Sequence, residues 1–241
     1  MKIFDVDSPL MQALSKVSDL VILNLLTLAC CLPVITIGPA LTALNHVALK
    51  IARNEETYIT KSFFKSFKEN FRQGVLIWLL FLALGTVLVC DYFILLGSDT
   101  RYASVMQVLI LVAAAFVIFT FLYTFPVLAR FHNTIKATLK NAFMISVAQF
   151  PKTILMFVMY LIPLLVFLNF FQLIPFVLFF GLSVPAWGSA KLYQKFFKKL
   201  EDSYWERHKE EAGGEEQADG EEDVRIFRDE LDETLQDKTR Q

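Results

Sequence analysis

Charge is distributed so that long apolar runs alternate with short basic segments. Residues 20–49, thirty in all, carry no formal charge, and further uncharged runs cover 73–90, 102–129 and 153–190. A helix that crosses a hydrocarbon core of about 30 Å needs roughly 20 apolar residues. The runs at 73–90 and 102–129 fit one crossing each. The run at 153–190 would reach about 57 Å at about 1.5 Å per residue, enough for two crossings joined by a tight turn. Asn169 and Gln172 mark that turn.

The first run is broken by Pro33, Gly38 and Pro39. Proline removes an amide donor and restricts the residue before it, so a kink or an exit from the span is expected there. The pattern predicts a crossing over 20–37, a turn at Gly38 and Pro39, and a helix over 40–53 that leaves along the cytoplasmic face. Crossings then fall near 20–37, 74–97, 103–127, 153–168 and 172–188, with the N-terminus outside. The alternative makes 39–53 a short sixth crossing or a re-entrant hairpin and puts the N-terminus inside. Thirty uncharged residues are short for two full crossings, although Lys50 and Arg53 can snorkel to extend the second. The predicted fold class is all-α: a polytopic helical membrane protein of about five transmembrane helices, or six, with cytoplasmic amphipathic helices.

Net charge sharpens this division. Residues 1–200 hold 17 Lys/Arg and 8 Asp/Glu, a balance of +9, whereas residues 201–241 hold 6 and 16, a balance of −10. The chain therefore reads as a membrane domain over 1–199 and an acidic, largely disordered cytoplasmic tail over 200–241. Loops rich in Lys and Arg collect on the cytoplasmic side. Segment 50–72 carries six such residues, 130–152 four and 191–199 four, against Arg101 alone in the opposite connections near 97–101 and 168–172. These biases predict a multi-pass protein of the cell membrane with its C-terminus in the cytoplasm.

Within the basic segments, "YITKSFFKSFKENFRQ" (58–73) repeats Phe63, Phe67 and Phe71 every four residues, with Phe64 beside them and Lys61, Lys65, Lys68 and Arg72 on an adjoining face. An aromatic stripe flanked by cations suits a helix in the headgroup layer, or a docking surface for a cytoplasmic partner. Segment 130–151 forms a second amphipathic pattern through Ile135, Leu139, Ala142 and Phe143. Nucleic acid is not an expected partner, because these bases adjoin membrane spans without a recognition motif. The tail ends in "DVRIFRDELDETLQ", where Val224, Phe227, Leu231 and Leu235 share one helical stripe. It reads as a solvated tail, or as a short helix that docks on the basic loops or on a partner.

Candidate chemistry is sparse. His46, His132 and His208 have no metal-ligand spacing, and neither a glycine-rich phosphate loop nor a GxSxG elbow occurs. Cys30, Cys31 and Cys90 lie in apolar runs without a CxxC pair and read as small core residues. No catalytic, metal or cofactor-binding residue is predicted, and no cofactor. Asp91, in "LVCDYFILL", is the one charge inside a predicted crossing. Intramembrane carboxylates are costly and usually functional, but Asp91 lies within a turn or two of the outer end, within reach of interfacial water or Arg101. Pro163, Pro175 and Pro185 add breaks to the last two crossings. Such breaks expose carbonyls to a ligand or are satisfied by neighbouring helices.

The stretch 8–74 carries a more specific combination: Asn24, "CLPV" at 31–34, "TIGP" at 36–39, "TAL" at 42–44 with Asn45 close by, Arg53, Glu56, and Phe63 and Phe64 through Phe67, Lys68, Glu69, Asn70 and Phe71. It resembles the YesL family of bacterial integral membrane proteins, with similarity of hydropathy to about residue 199; the acidic tail departs from the family pattern. That family has no established biochemical activity. Its members come mostly from Gram-positive bacteria and are often encoded near genes for carbohydrate uptake and degradation. The resemblance thus implies a non-enzymatic accessory or regulatory role in carbohydrate uptake, with the lipid bilayer and a transporter or signalling protein as partners. The alternative is a small transporter or channel built on kinked helices.

Overall fold

The computed structural model describes residues 9–55, 58–97, 102–131 and 133–211. Glu56, Arg101, His132 and the segment 212–241, with its apolar stripe, lie outside them. Every regular element among the described residues is helical. The order is α1 (Pro9–Cys31), a 3-10 turn (Val34–Thr36), α2 (Ile37–Arg53), α3 (Ile59–Glu69), α4 (Phe71–Leu96), α5 (Ala103–Arg130), α6 (Ile135–Ala148), α7 (Phe150–Asn169), a second 3-10 turn (Phe171–Leu173), α8 (Ile174–Phe180) and α9 (Ser183–Glu211). Among the described residues five segments are long and apolar enough to cross a membrane: Leu14–Cys31, Val34–Arg53, Phe71–Leu96, Ala103–Arg130 and Phe150–Asn169. Ile174–Phe180 and Ser183–Leu200 make a sixth if taken together, bent by 45° at their junction. The all-α polytopic class is met, and the turn at Asn169 and Gln172 falls between α7 and α8.

The first apolar run folds differently from the favoured sequence reading. The crossing does not continue to residue 37: α1 stops at Cys31, and Pro33 opens the 3-10 turn, whose Thr36 hydroxyl donates to the Cys30 carbonyl at 2.6 Å. Among the described helices, α2 is heavily enclosed, buried at 13 of its 17 positions from Gly38 to Ala52. α2 returns beside α1, so that Lys16 near the start of α1 donates to the Asn54 side chain just past the end of α2, at 2.7 Å. The two form an antiparallel hairpin. Asn54 ends α2 in the left-handed conformation (φ 57°), which Asn tolerates better than most residues.

Small residues set how closely α2 is held. A Cβ on Gly38 would strike the carbonyl oxygen of Gly74, and one on Gly74 would lie 2.8 Å from the Pro39 nitrogen. Backbone thus meets backbone where the tip of the hairpin crosses the first turn of α4, the kind of close approach small residues permit between membrane helices. On the opposite side, Ala43 and Ala48 of α2 and Ala186 and Ala190 of α9 are fully buried in one cluster with Leu44, Val47, Phe63, Tyr123 and Phe197. α9 continues through Leu200 to Glu211 as one helix.

The outer parts of α4 and α5 pack far less. Leu79, Leu80, Val87, Val89, Phe93 and Ile94 of α4, with Val105, Leu109, Val112 and Phe116 of α5, are exposed. So wide an apolar surface needs lipid as its solvent, which is consistent with a membrane-embedded protein. α4 runs 18 residues beyond Trp78, or about 27 Å. The 3-10 turn at the hairpin tip leans on this same helix.

The basic segments also differ from plain surface helices. Residues 58–73 form α3 and the start of α4, joined at Asn70. Phe63 turns inward and is fully buried, stacking on Phe67 at 6.2 Å, while Phe64 and Phe71 are exposed. The aromatic stripe therefore faces partly into the protein, because the flank of α2 was available to cover it. α6 packs along α5, with Ala142 buried and Ile135 and Leu139 against Ile77, Phe125 and Leu128.

Candidate functional site

The residues singled out by sequence separate into three groups. The first is Asn24, fully buried on α1. Its amide nitrogen donates to the Leu178 carbonyl at 2.6 Å, and its oxygen accepts from the backbone N–H groups of Leu182 and Ser183 at 2.8 and 2.9 Å. These are groups that the break between α8 and α9 leaves without helical partners. An apolar side chain at this position would strand all three away from water. Asn24 thus acts as a side-chain splint for the bent segment, and Asn fits because it combines donor and acceptor in one short group.

The second group surrounds the α2 hairpin. Gly38 and Pro39 make the contact with Gly74 described above. Asn45 donates to the Leu41 carbonyl at 2.8 Å, and its oxygen is buried without a hydrogen-bond partner among the described residues. His46 lies 3.3 Å, through Nδ1, from the carbonyl of Ala129, near the end of α5; a protonated Nδ1 donates there. Asn70 is buried at the joint of α3 and α4, donating to the carbonyl and the hydroxyl of Ser66 at 2.8 and 3.2 Å. Arg53 sits 3.9 Å from Glu55.

The third group is exposed: Phe64, Lys68 and Glu69 on α3, and Asp91 on α4. Asp91 joins none of the buried polar groups, and its neighbours Val89 and Phe93 are exposed as well. Among the described residues no cluster of His, Cys, Asp and Glu is arranged to hold a metal ion.

Sequence reasoning missed a polar seam between α5, α7 and α9. Tyr123 and Tyr193 are fully buried, and the Tyr193 hydroxyl has no hydrogen-bond partner among the described residues. Tyr123 approaches Thr153 and Tyr160 approaches Ser189, yet the Tyr123 and Ser189 oxygens do not reach hydrogen-bond geometry. Thr153 instead donates to the carbonyls of Ser146 and Gln149 at 2.8 and 3.0 Å, tying the α6–α7 corner. The Gln149 side chain at that corner is buried, with neither polar atom paired among the described residues. Ser189 and Tyr193 stand four residues apart, so they share one face of α9. That spacing was the available signal.

One end of the bundle gathers the cationic segments. Gln73, in the first turn of α4, donates to the Asn133 carbonyl at 3.0 Å, and Phe131 packs on Phe197 with ring centroids 5.2 Å apart. The start of α4, the end of α5 and the middle of α9 therefore meet. They bring with them exposed Lys61, Lys65, Lys68 and Arg72, then Lys136 and Lys140, then Lys195, Lys198 and Lys199. Such an arrangement suits contact with anionic groups.

No curated protein and no solved structure matches the chain. Residues 20–92, spanning most of α1, the whole of α2 and α3 and most of α4, are similar to a family described as a protein of unknown function, DUF624.

Proposed function

We propose that this chain is a non-enzymatic integral protein of the bacterial cell membrane that serves as an accessory or regulatory component linked to carbohydrate uptake. The observation that carries the proposal is the gathering of basic residues from three separate segments at one end of the helix bundle. With positive charge retained inside, that end faces the cytoplasm, together with the C-terminus. The Lys16–Asn54 contact favours the same side for the start of α1. The hairpin tip at Gly74 and Trp78 favours a re-entrant α1–α2 pair over two full crossings. The exposed cationic surface is then offered to a transporter or signalling protein, beside the lipid bilayer. The carbohydrate link comes from the resemblance of residues 8–74 to the YesL family, and the family similarity over 20–92 overlaps the residues that carry it. Capture of the intact protein in lipid nanodiscs from cells growing on complex carbohydrate tests the reading. A sugar importer or its regulator should co-purify and be lost when Lys61, Lys65 and Lys68 are reversed to Glu. Recovery of the protein alone under several mild conditions would count against it.

A second reading, a small transporter, is favoured by the unpaired Tyr193 hydroxyl and Asn45 oxygen inside the helix bundle. Buried polar groups without partners are rare and often mark a function or a second conformation. Reconstituted vesicles that carry no ion or solute flux would remove it.

A further inference from the structure

We propose that the acidic, apolar-striped segment 224–235 of this same chain docks on the cation–aromatic strip formed by α3 and the first turn of α4. The strip consists of Lys61, Phe64, Lys65, Lys68, Phe71 and Arg72, all exposed and spaced at 61, 64, 65, 68, 71 and 72 along one flank. The opposite flank is closed, with Ile59, Phe63 and Ser66 buried. Two half-exposed phenylalanines between four cations call for an occupant that is both acidic and partly apolar.

The chain supplies one. Residues 212–241 contain 11 Asp/Glu and 4 Lys/Arg, a balance of −7. Val224, Phe227, Leu231 and Leu235 recur at helical spacing, flanked by Asp223, Asp229, Glu230, Asp232 and Glu233. An apolar stripe edged by acids complements the strip in both charge and hydrophobicity.

Reach is sufficient. Leu200 of α9 still packs on the core, and the 11 residues from there to Glu211 carry the helix about 16 Å further. α2 lies between α9 and α3 and packs on both, which puts the strip about 20 Å to the side at ordinary helix spacings of 8–10 Å. The straight-line gap is then about 26 Å, whereas the 12 residues 212–223 span up to about 40 Å. Tethering also raises the effective concentration to the order of millimolar, so weak contacts suffice for occupancy. In this arrangement the tail screens the cationic surface until an anionic leaflet or a partner displaces it. The inference does not depend on the accessory role proposed above.

Carbodiimide crosslinking of the full-length chain in single-copy nanodiscs of zwitterionic lipid tests it, with peptides mapped by mass spectrometry. The expected result is amide links from Lys61, Lys65 or Lys68 to acids within 221–233. They should fall at least tenfold at 0.5 M salt, with folding checked by monodispersity. A mixture of isotopically light and heavy protein should place the links within one chain. As a second measurement, the chain truncated after Glu211 should exchange the amide hydrogens of α3 faster than the full-length chain. Tail acids that link only to lysines elsewhere, or to none, would overturn the proposal. So would equal α3 exchange in both chains, with protection appearing only when phosphatidylglycerol is added, since lipid alone would then occupy the strip.

Discussion

Asn24 holds together chain segments more than 150 positions apart, through three hydrogen bonds made by one amide. Each buried polar group stranded without a partner costs about 1–3 kcal/mol. Substitution N24L should therefore destabilise the protein by several kcal/mol, visible as a large drop in thermal midpoint in detergent, while N24Q recovers only part of it because the longer side chain shifts the donor and acceptor. Tyr193 behaves in the opposite sense. Its hydroxyl has no partner among the described residues, so Y193F removes a desolvated group at little volume cost and should leave the midpoint unchanged or raised, by about 1 kcal/mol at most. A clear loss of stability in Y193F would mean that the hydroxyl is satisfied in the working protein. Asn24 stood out in the sequence through the family resemblance, and its polarity inside an apolar run was itself legible. Its partners were not, because backbone groups at a helix break leave no mark in side-chain identity.

At the level of helices, the decisive contact is the crossing of α2 over α4. Gly38 and Gly74 meet there backbone to backbone, whereas Gly85, eleven residues further along α4, faces open space. G38A and G74A should force the helices apart and cut the yield of monodisperse protein on size exclusion. G85A should be neutral or slightly stabilising, since Ala is the better helix former by about 1 kcal/mol. Equal behaviour of the three variants would refute the close approach. Prolines signalled that the first run breaks but not which way the chain turns. The path of α2 back into the core depended on finding small residues on α4 and α9 to pack against. The stripe at Phe63, Phe67 and Phe71 was visible as a helical face. That Phe63 is buried while Phe64 is exposed follows from where α2 lies.

For the whole molecule, the basic segments converge at one end through Gln73–Asn133 and Phe131–Phe197. In a background with Cys30, Cys31 and Cys90 replaced by Ala, single cysteines at Lys16, Lys65, Lys136 and Lys195 should all react with an impermeant maleimide from the same side of the membrane. A cysteine at Asp91 should react only from the other side. Labelling of position 16 from the side that labels position 91 would restore an outside N-terminus and exclude the re-entrant hairpin.

Several features were determined by sequence alone: an all-helical chain in lipid, the number of long apolar runs, the turn at Asn169 and Gln172, and the charge bias of the connections. Lipid offers the backbone no hydrogen bonds, so an apolar run of sufficient length satisfies itself locally as a helix whatever its neighbours are. Tertiary structure decided which faces pair: the enclosure of α2, the Asn24 splint and the tyrosine seam. Hydropathy carries no record of those choices, because a side chain that faces lipid and one that faces protein are selected for the same apolarity.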